Sequence, residues 1–357
     1  MSTLLTDMQL SAARSLGWMP GHVHLSATDI RVDGWALRLW DHGERPRFLI
    51  NGEDFAEVEW PLPAPDVHDA FPALMPEGCT RFRARHPVTP GGGLFPEGFA
   101  RFNVTGRLGE HRHSYRTAWF VADPATEPPV PTPERITRVI GSDSAPMFLL
   151  GGATIAQRIR CLLQDRFDRP LSSFRAILDW GCGAGRVTRY LGMMSPVVTG
   201  VDIDADNLQH SAASLPEVAF EQVGLYPPTA FPDGRFDLVI GLSVLTHLKE
   251  STQDQWLEEL RRIVEPGGIL LLSVQGLAQS ALYRAPLERQ LRAHREGFLY
   301  VGPDGQLDDV VAEEGYYSHI IQSHEYIMVH WGRYFDVLEI VEGIAGNQDL
   351  VVLRRPR

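Results

Sequence analysis

The sequence predicts two parts, an all-β sandwich at the N-terminus and then an α/β domain built on a largely parallel sheet. Largely apolar runs such as residues 176–178 and 236–241 have the length and composition of buried parallel strands. Segments between such runs carry the spacing of amphipathic helices, as at Trp256 and Leu260. From about residue 21 to 121 the pattern changes to short β-forming runs separated by Gly, Pro and Asp clusters, which is typical of a sandwich.

Composition limits the class of protein and its partners. The chain has 357 residues, 44% of them hydrophobic and 22% charged, so it can build two globular cores. No stretch reaches membrane-spanning length, and the first residues lack the basic flank of a signal peptide. The formal net charge of −12 provides no basic footprint, so nucleic acid is not an expected partner.

Three cysteines, Cys79, Cys161 and Cys182, cannot form a disulfide framework and lack the spacing of a zinc site. We therefore expect a cytoplasmic protein. Two His-x-His pairs, at 22–24 and 111–113, would each face one side of a strand, but no further ligands converge on them in the sequence. We interpret them as surface histidines and expect no metal site.

The domain boundary is predicted in the segment 122–135, where five prolines and no apolar periodicity indicate an extended linker. The predicted sandwich thus covers 1–121 and the α/β domain 136–357. The strands of the sandwich are expected at 35–39, 48–50, 99–104 and 114–121. Five of the eight tryptophans lie in this part, and filling a small core is a simpler role for them than stacking on sugar rings.

The motif that decides the chemistry follows the strand at 176–178. Asp179 ends that strand, Gly181, Gly183 and Gly185 follow at alternate positions, and a helical pattern then begins. A dinucleotide fingerprint needs a glycine where Arg186 stands. The spacing D-x-G-x-G-x-G instead resembles motif I of the class I S-adenosylmethionine-dependent methyltransferases. That resemblance implies a Rossmann-like domain with a seven-stranded sheet, and the cofactor S-adenosyl-L-methionine.

The resemblance also implies the cofactor residues. Asp202 lies 19 positions after Gly183 at the tip of the next strand, where it would accept hydrogen bonds from the ribose hydroxyls. Ile203 would lie against the adenine. The family places an acid near residues 224–226, where this chain has Gly-Leu-Tyr, so that contact would use the backbone. The full predicted cofactor set is Asp179, Gly181, Cys182, Gly183, Gly185, Asp202, Ile203, Leu225 and Ser243.

An insertion at 275–331 is where methyltransferases of this type place acceptor specificity. Its second half is dense in tyrosine and histidine. Histidine has a pKa suited to removing the proton of a hydroxyl acceptor, so we predict His324, His319 or His247 as the base. Tyr317, Tyr326 and His330 are predicted to contact the acceptor. The simpler interpretation, an amphipathic segment that satisfies its own polar atoms, holds for most of these side chains.

The N-terminal part resembles, more loosely, the immunoglobulin-like modules of bacterial glycan-modifying enzymes, through Gly34-Trp35-Ala36 and Ile50-Asn51-Gly52. Together the resemblances imply O-methylation of a sugar or glycan-linked acceptor. Two alternatives stay open. One is an N- or O-methyltransferase of a non-sugar small molecule, in which the N-terminal domain builds a homo-oligomer. The other is a catalytically silent glycan-binding scaffold.

Overall fold

The computed structural model describes residues 18–26, 28–36, 47–65, 79–88, 98–108, 111–114, 119–282, 285–307, 310–311, 313, 315–345 and 348–357. Its contacts divide the chain into two compact units. The first comprises Met1–Glu127 and Pro146–Thr154, and the second comprises Pro128–Ala145 and Ile155–Arg357.

The first unit is built from antiparallel strands. Ten strands follow one another along the chain: β1 Trp18–Leu25, β2 Asp29–Ala36, β3 Arg47–Ile50, β4 Glu53–Asp54, β5 Glu57–Pro63, β6 Cys79–Pro87, β7 Phe99–Phe102, β8 Val104–Leu108, β9 His111–Ser114 and β10 Trp119–Ala122. Two four-stranded sheets have the orders β1-β2-β6-β5 and β4-β3-β8-β9, and β10 pairs with β7.

One hydrophobic core is shared by the two four-stranded sheets. Val32 and Phe82 from one sheet and Phe48 and Val104 from the other are at most 1% exposed. The rings of Phe48 and Phe82 stack with centroids 4.0 Å apart. Side chains alternate between the two faces of a strand, and the burial of β5 follows this alternation along its whole length. The predicted strand at 35–39 is described only as far as residue 36, and residues 115–118 of the run at 114–121 also lie outside the described part.

The second unit contains the predicted α/β domain. Its strands are β11 Ile177–Trp180, β12 Val198–Asp202, β13 Ala219–Gln222, β14 Phe236–Gly241, β15 Val264–Val274, β16 Phe298–Pro303, β17 Ser318–Gln322, β18 Asp336–Ala345 and β19 Gln348–Arg354. Its helices are α1 Pro133–Ile140, α2 Ala145–Phe167 (shared with the first unit), α3 Thr188–Met194, α4 Ala205–Ser214, α5 Glu250–Ile263, α6 Leu277–Leu282, α7 Leu287–Glu296 and α8 His324–His330.

Seven strands form one sheet in the order β13-β12-β11-β14-β15-β19-β18. The first five are parallel, while β19 is antiparallel to both β15 and β18. Leu178, Val239 and Leu270 on three central strands are at most 1% exposed, as expected for parallel strands covered on both faces. The prediction of a Rossmann-like, seven-stranded α/β domain is confirmed, and β18 and β19 form an antiparallel pair at its C-terminal end.

One boundary differs from the prediction. Asp179 does not end β11, because the ladder with β12 and β14 continues through Trp180. Helix α5 ends at Ile263 and β15 begins at Val264, with Gly267 at φ 84° inside that strand. The insertion forms α6, α7, α8 and an antiparallel β16–β17 hairpin outside the main sheet.

Within the described residues, no single helix is long and apolar enough to cross a membrane. Helices α1 and α2 meet the length and composition test only as a pair, and they are bent by 50° at their junction.

Candidate active site

A pocket of the second unit opens where β11, β12 and β14 end. Seven of the nine residues predicted to bind the cofactor line it: Asp179, Gly181, Cys182, Gly183, Asp202, Ile203 and Ser243. Open α/β sheets bind their ligands at this edge, because the loops that leave neighbouring strands meet there.

Backbone hydrogen bonds to Asp202 hold the glycine turn to the neighbouring strand. The Gly183 amide donates to Asp202 Oδ2 at 2.7 Å, and the Asp204 amide donates to Asp202 Oδ1 at 2.9 Å. Gly181 and Gly183 have φ of 75° and 53°, a conformation that side chains disfavour. A Cβ on Gly181 would lie 2.3 Å from Val244 Cγ2. Glycine is therefore required at 181 by both conformation and space.

Gly185 and Leu225 do not line the pocket, contrary to the prediction. Gly185 lies against the end of α4, where a Cβ would be 3.0 Å from Leu215 Cδ1. Its role is close packing of the turn on that helix. The Leu225 carbonyl accepts a hydrogen bond from Trp256 Nε1 at 3.1 Å and another from the Tyr316 hydroxyl. Val223, two residues earlier, lines the pocket in place of Leu225.

Two buried carboxylates give the pocket its electrostatic character. Burial raises the pKa of Asp179 to about 6, against the opposing effect of Thr188, whose hydroxyl donates to Oδ2 at 2.5 Å. Burial also raises the pKa of Asp202, while backbone N–H donors including Gly183 act to lower it. A cationic ligand would favour the ionised form of both groups.

Ser243 is held in an unusual conformation at the end of β14. Its φ is 59°, in the left-handed region, which is costly for a residue with a side chain. Its amide donates to Ser273 Oγ at 2.7 Å, and its hydroxyl lies 3.1 Å from Gln348 Oε1. Ser273 Oγ also donates to Gln348 Oε1 at 2.6 Å. This polar network runs from the pocket to the start of β19.

The predicted acceptor residues separate into two places. Tyr317 lines the pocket, and its ring stacks on His247 with centroids 4.0 Å apart. Burial raises the pKa of its phenol. Tyr326 and His330 do not line the pocket. The Tyr326 hydroxyl donates to Glu250 at 2.7 Å, and His330 Nε2 lies 2.6 Å from Asp254 Oδ1. These two side chains attach α8 to α5.

The three predicted base residues also differ in their surroundings. His324 Nε2 lies 2.9 Å from Oδ2 of Asp349, a carboxylate whose side chain is 2% exposed. His247 is buried, and burial lowers its pKa to about 4. Its Nδ1 lies 3.1 Å from the Ser318 carbonyl. His319 is half exposed, 3.3 Å from Asp304.

Other residues line the pocket without having been predicted. They come from α1, from strand ends and the turns that follow them, from α4 and α5, and from the insertion: Arg138, Val139, Arg186, Val187, Asp204, Asn207, Val223, Leu242, Val244, Leu248, Leu307, Tyr316, Trp180 and Trp256. Val139 Cγ2 would lie 3.0 Å from a Cβ on Gly183. No local signal in the sequence of α1 or of the insertion indicates these positions. Asp204 is the exception, because it follows Asp202 at the tip of β12 by two residues and could have been predicted from that spacing.

Comparison with known proteins agrees with this geometry. Residues 177–268 match the family described as "Methyltransferase domain". An uncharacterized methyltransferase of Synechocystis is 29% identical over 102 residues, 29% of this chain and 48% of the relative. A ubiquinone biosynthesis O-methyltransferase of Alkalilimnicola ehrlichii is 31% identical over 103 residues, 28% of this chain and 41% of the relative.

The match spans less than half the length of these curated relatives. Among solved structures, an S-adenosylmethionine-dependent methyltransferase of Mesorhizobium loti aligns over 53% of this chain and 95% of its own, at 19% identity and a TM-score of 0.40. Within the second unit, residues 177–268 thus match a methyltransferase domain. The cofactor of this domain class is S-adenosylmethionine.

Proposed function

We propose that the protein transfers a methyl group from S-adenosylmethionine to an oxygen of a sugar or glycan-linked acceptor. The observation that carries the methyltransferase part is the hydrogen bond from the Gly183 amide to Asp202, which joins the glycine turn to the acid of the next strand in one pocket. Transfer from a sulfonium needs little from the protein beyond holding the acceptor in line and removing its proton.

The residues of the pocket fit this cofactor. Each oxygen of Asp202 accepts one backbone hydrogen bond and retains capacity for another, as binding of two ribose hydroxyls requires. Gly181 lines the pocket with main-chain atoms alone, so a ligand can lie against the backbone there. Asp179 supplies a carboxylate for a positively charged group. Bound there, the cofactor supplies an activated methyl group.

We assign the proton-removing role to His324, supported by its partner. When the Nε2–H group of a neutral imidazole donates a hydrogen bond to a buried carboxylate, Nδ1 carries no proton. Nδ1 can then accept a proton from the acceptor. Asp349 also accepts from the Gly343 amide at 3.1 Å, which orients its carboxylate. Asp349 directly follows Gln348, a member of the Ser243 network at the pocket. His247 fits the role less well, because its Nδ1 already contacts the Ser318 carbonyl.

The sugar part of the proposal rests on the first unit. Its two antiparallel sheets around one core support an immunoglobulin-like sandwich of the kind attached to bacterial glycan-modifying enzymes. We also propose that the protein forms a homo-oligomer and that it is located in the cytoplasm. Cys161 and Cys182, both free thiols, support that location.

The test separates cofactor binding from acceptor choice. Calorimetry with S-adenosylmethionine should detect binding to the wild type, and Asp202→Ala should weaken it about tenfold or more, because charge-assisted hydrogen bonds are lost. Glu221→Ala is the matched control, an exposed acid one strand away that should bind as the wild type does. Absence of cofactor binding in the wild type would overturn the proposal.

Acceptor class is tested with methyl-labelled cofactor and a panel of free sugars, glycans and phenols. Label on sugars supports the main proposal. Label on phenols alone would favour methylation of a non-sugar small molecule, the candidate that the likeness to a ubiquinone biosynthesis O-methyltransferase supports. Cofactor binding with no transfer to any acceptor would favour the silent scaffold.

A further inference from the structure

We propose that His247, Asp304 and His319 form a binding site for a divalent transition-metal ion of the zinc type. One ligand atom from each residue lies within 4.8 Å of the other two. In the described part of the chain, no other three His, Cys, Asp or Glu side chains meet in this way. The sequence suggested no metal site, because these ligands are far apart along the chain and only folding brings them together.

The separations fit an ion between the side chains. His319 Nε2 is 3.3 Å and His247 Nδ1 is 3.6 Å from Asp304 Oδ2. Two ligand atoms bound at about 2.1 Å to a tetrahedral ion are about 3.4 Å apart. A direct charge-assisted hydrogen bond between imidazole and carboxylate would be about 2.7–2.9 Å long. The geometry thus leaves room for an ion rather than drawing the groups into direct contact.

The type of ligand selects the type of ion. Two imidazoles and one carboxylate suit zinc, and related ions such as cobalt, better than magnesium, which prefers oxygen ligands. Binding through His247 Nδ1 requires the ring proton to sit on Nε2, so the imidazole stays neutral and no net proton is released. The Ser318 carbonyl, 3.1 Å from Nδ1, is then a candidate fourth ligand.

The site has an approach for the ion and a consequence for the pocket. The side chain of His319 is 50% exposed, whereas those of His247 and Asp304 are 9% and 12% exposed, so the ion would enter from the His319 side. His247 belongs to the turn after β14, while Asp304 and His319 belong to the β16–β17 hairpin and its connection. A bound ion would fasten the hairpin to that turn. Tyr317, stacked on His247 and lining the pocket, would be fixed with it.

The experiment uses the full chain, treated with a chelator and titrated with zinc chloride by calorimetry in the absence of S-adenosylmethionine. We expect one equivalent to bind with a Kd of about 10 μM or tighter, and His319→Ala and Asp304→Asn to weaken it about tenfold or more, since each removes one of three ligands. His294→Ala, an exposed histidine on α7, should bind as the wild type does. Cobalt chloride should give visible absorption bands in the wild type that both ligand variants lack.

Zinc should also raise the Tm of the wild type and of His294→Ala, but not that of His319→Ala. If His319→Ala proves unfolded by circular dichroism, His319→Gln replaces it. Absence of stoichiometric zinc binding in the wild type, or equal zinc affinity in the wild type and both ligand variants, would overturn the proposal. Cofactor calorimetry is a separate measurement, so failure of this site and failure of the methyltransferase proposal are distinguishable.

Discussion

The glycine turn and the insertion are both rich in residues that suggest chemistry, yet they are organised differently. In the turn, residues close in sequence stay close in space, and Asp179, Gly181 and Gly183 line one pocket with Asp202. In the insertion, His324 contacts Asp349, His330 contacts Asp254, and Tyr317 lies against His247. A backbone motif carries its geometry with it, whereas a cluster of side chains along the chain takes its role from distant partners.

The largest effect should come from the turn. Gly181→Ala places a Cβ against Val244 and forces a side chain into a left-handed conformation. Overpacking and strain together should lower the free energy of unfolding by about 3 kcal/mol, and displacement of the turn should weaken S-adenosylmethionine binding measured by calorimetry. Gly141→Ala is the matched control, since Gly141 has φ 69° but nothing within 4 Å of its Cβ position. Equal cofactor affinity in the two variants would mean that space in the turn is unimportant.

A smaller effect is expected from the insertion residue to which we assign the proton-removing role. His324→Ala should lower kcat about 100-fold with cofactor affinity unchanged, because it removes the proton acceptor. His330→Ala, another histidine of the same helix, should retain kcat within about threefold, since its partner is Asp254 on α5. Rate measurements with saturating cofactor compare the two. If His330→Ala is the more impaired variant, the distinction made here between the two histidines is wrong.

Asp179 gives the turn a dependence on pH. Its carboxyl has a pKa of about 6 in the folded protein, above the value of about 3.9 expected when unfolded, so the folded state holds the proton more tightly. The stability that this provides is present below about pH 4 and is lost as the pH rises through 6. The Asp179→Asn variant has no carboxyl group to ionise at this position, so it does not lose this stability as the pH rises.

From pH 5 to pH 8, the free energy of unfolding of Asp179→Asn should therefore rise by about 1.4 kcal/mol relative to that of the wild type. Urea denaturation of the cofactor-free proteins at the two pH values measures it. Parallel pH profiles for the two proteins would show that Asp179 is ionised equally in both states.

The smallest effect is expected from Tyr326→Phe. The lost hydrogen bond to Glu250 is solvent-exposed, so the free energy of unfolding should fall by about 0.5–1 kcal/mol in thermal denaturation. The KM for the acceptor should stay within about twofold. A large rise in that KM would restore Tyr326 to the acceptor site that the sequence suggested.

These differences explain how far the sequence alone could lead. Apolar runs predict β11 and β14, because strands buried on both faces are largely apolar. Helical spacing predicts α5, because a helix buried along one stripe repeats its apolar residues at that spacing. The glycine spacing likewise indicates the turn. Gly185 lies in the same motif, but its packing against Leu215 depends on where α4 lies. The contacts of Tyr326 and His330 with α5, and the meeting of His247 with Asp304, depend on tertiary folding and leave no local trace.

The hydrogen bond from the Gly183 amide to Asp202 ties the glycine turn to β12 through groups of the chain itself, so we expect the turn to need little ordering when a ligand binds. Nucleoside recognition at this edge should then involve little loss of chain entropy and a small change in hydrogen-exchange protection of the turn amides. The rate of ligand association should accordingly be limited by access to the pocket and not by rearrangement of the glycine turn.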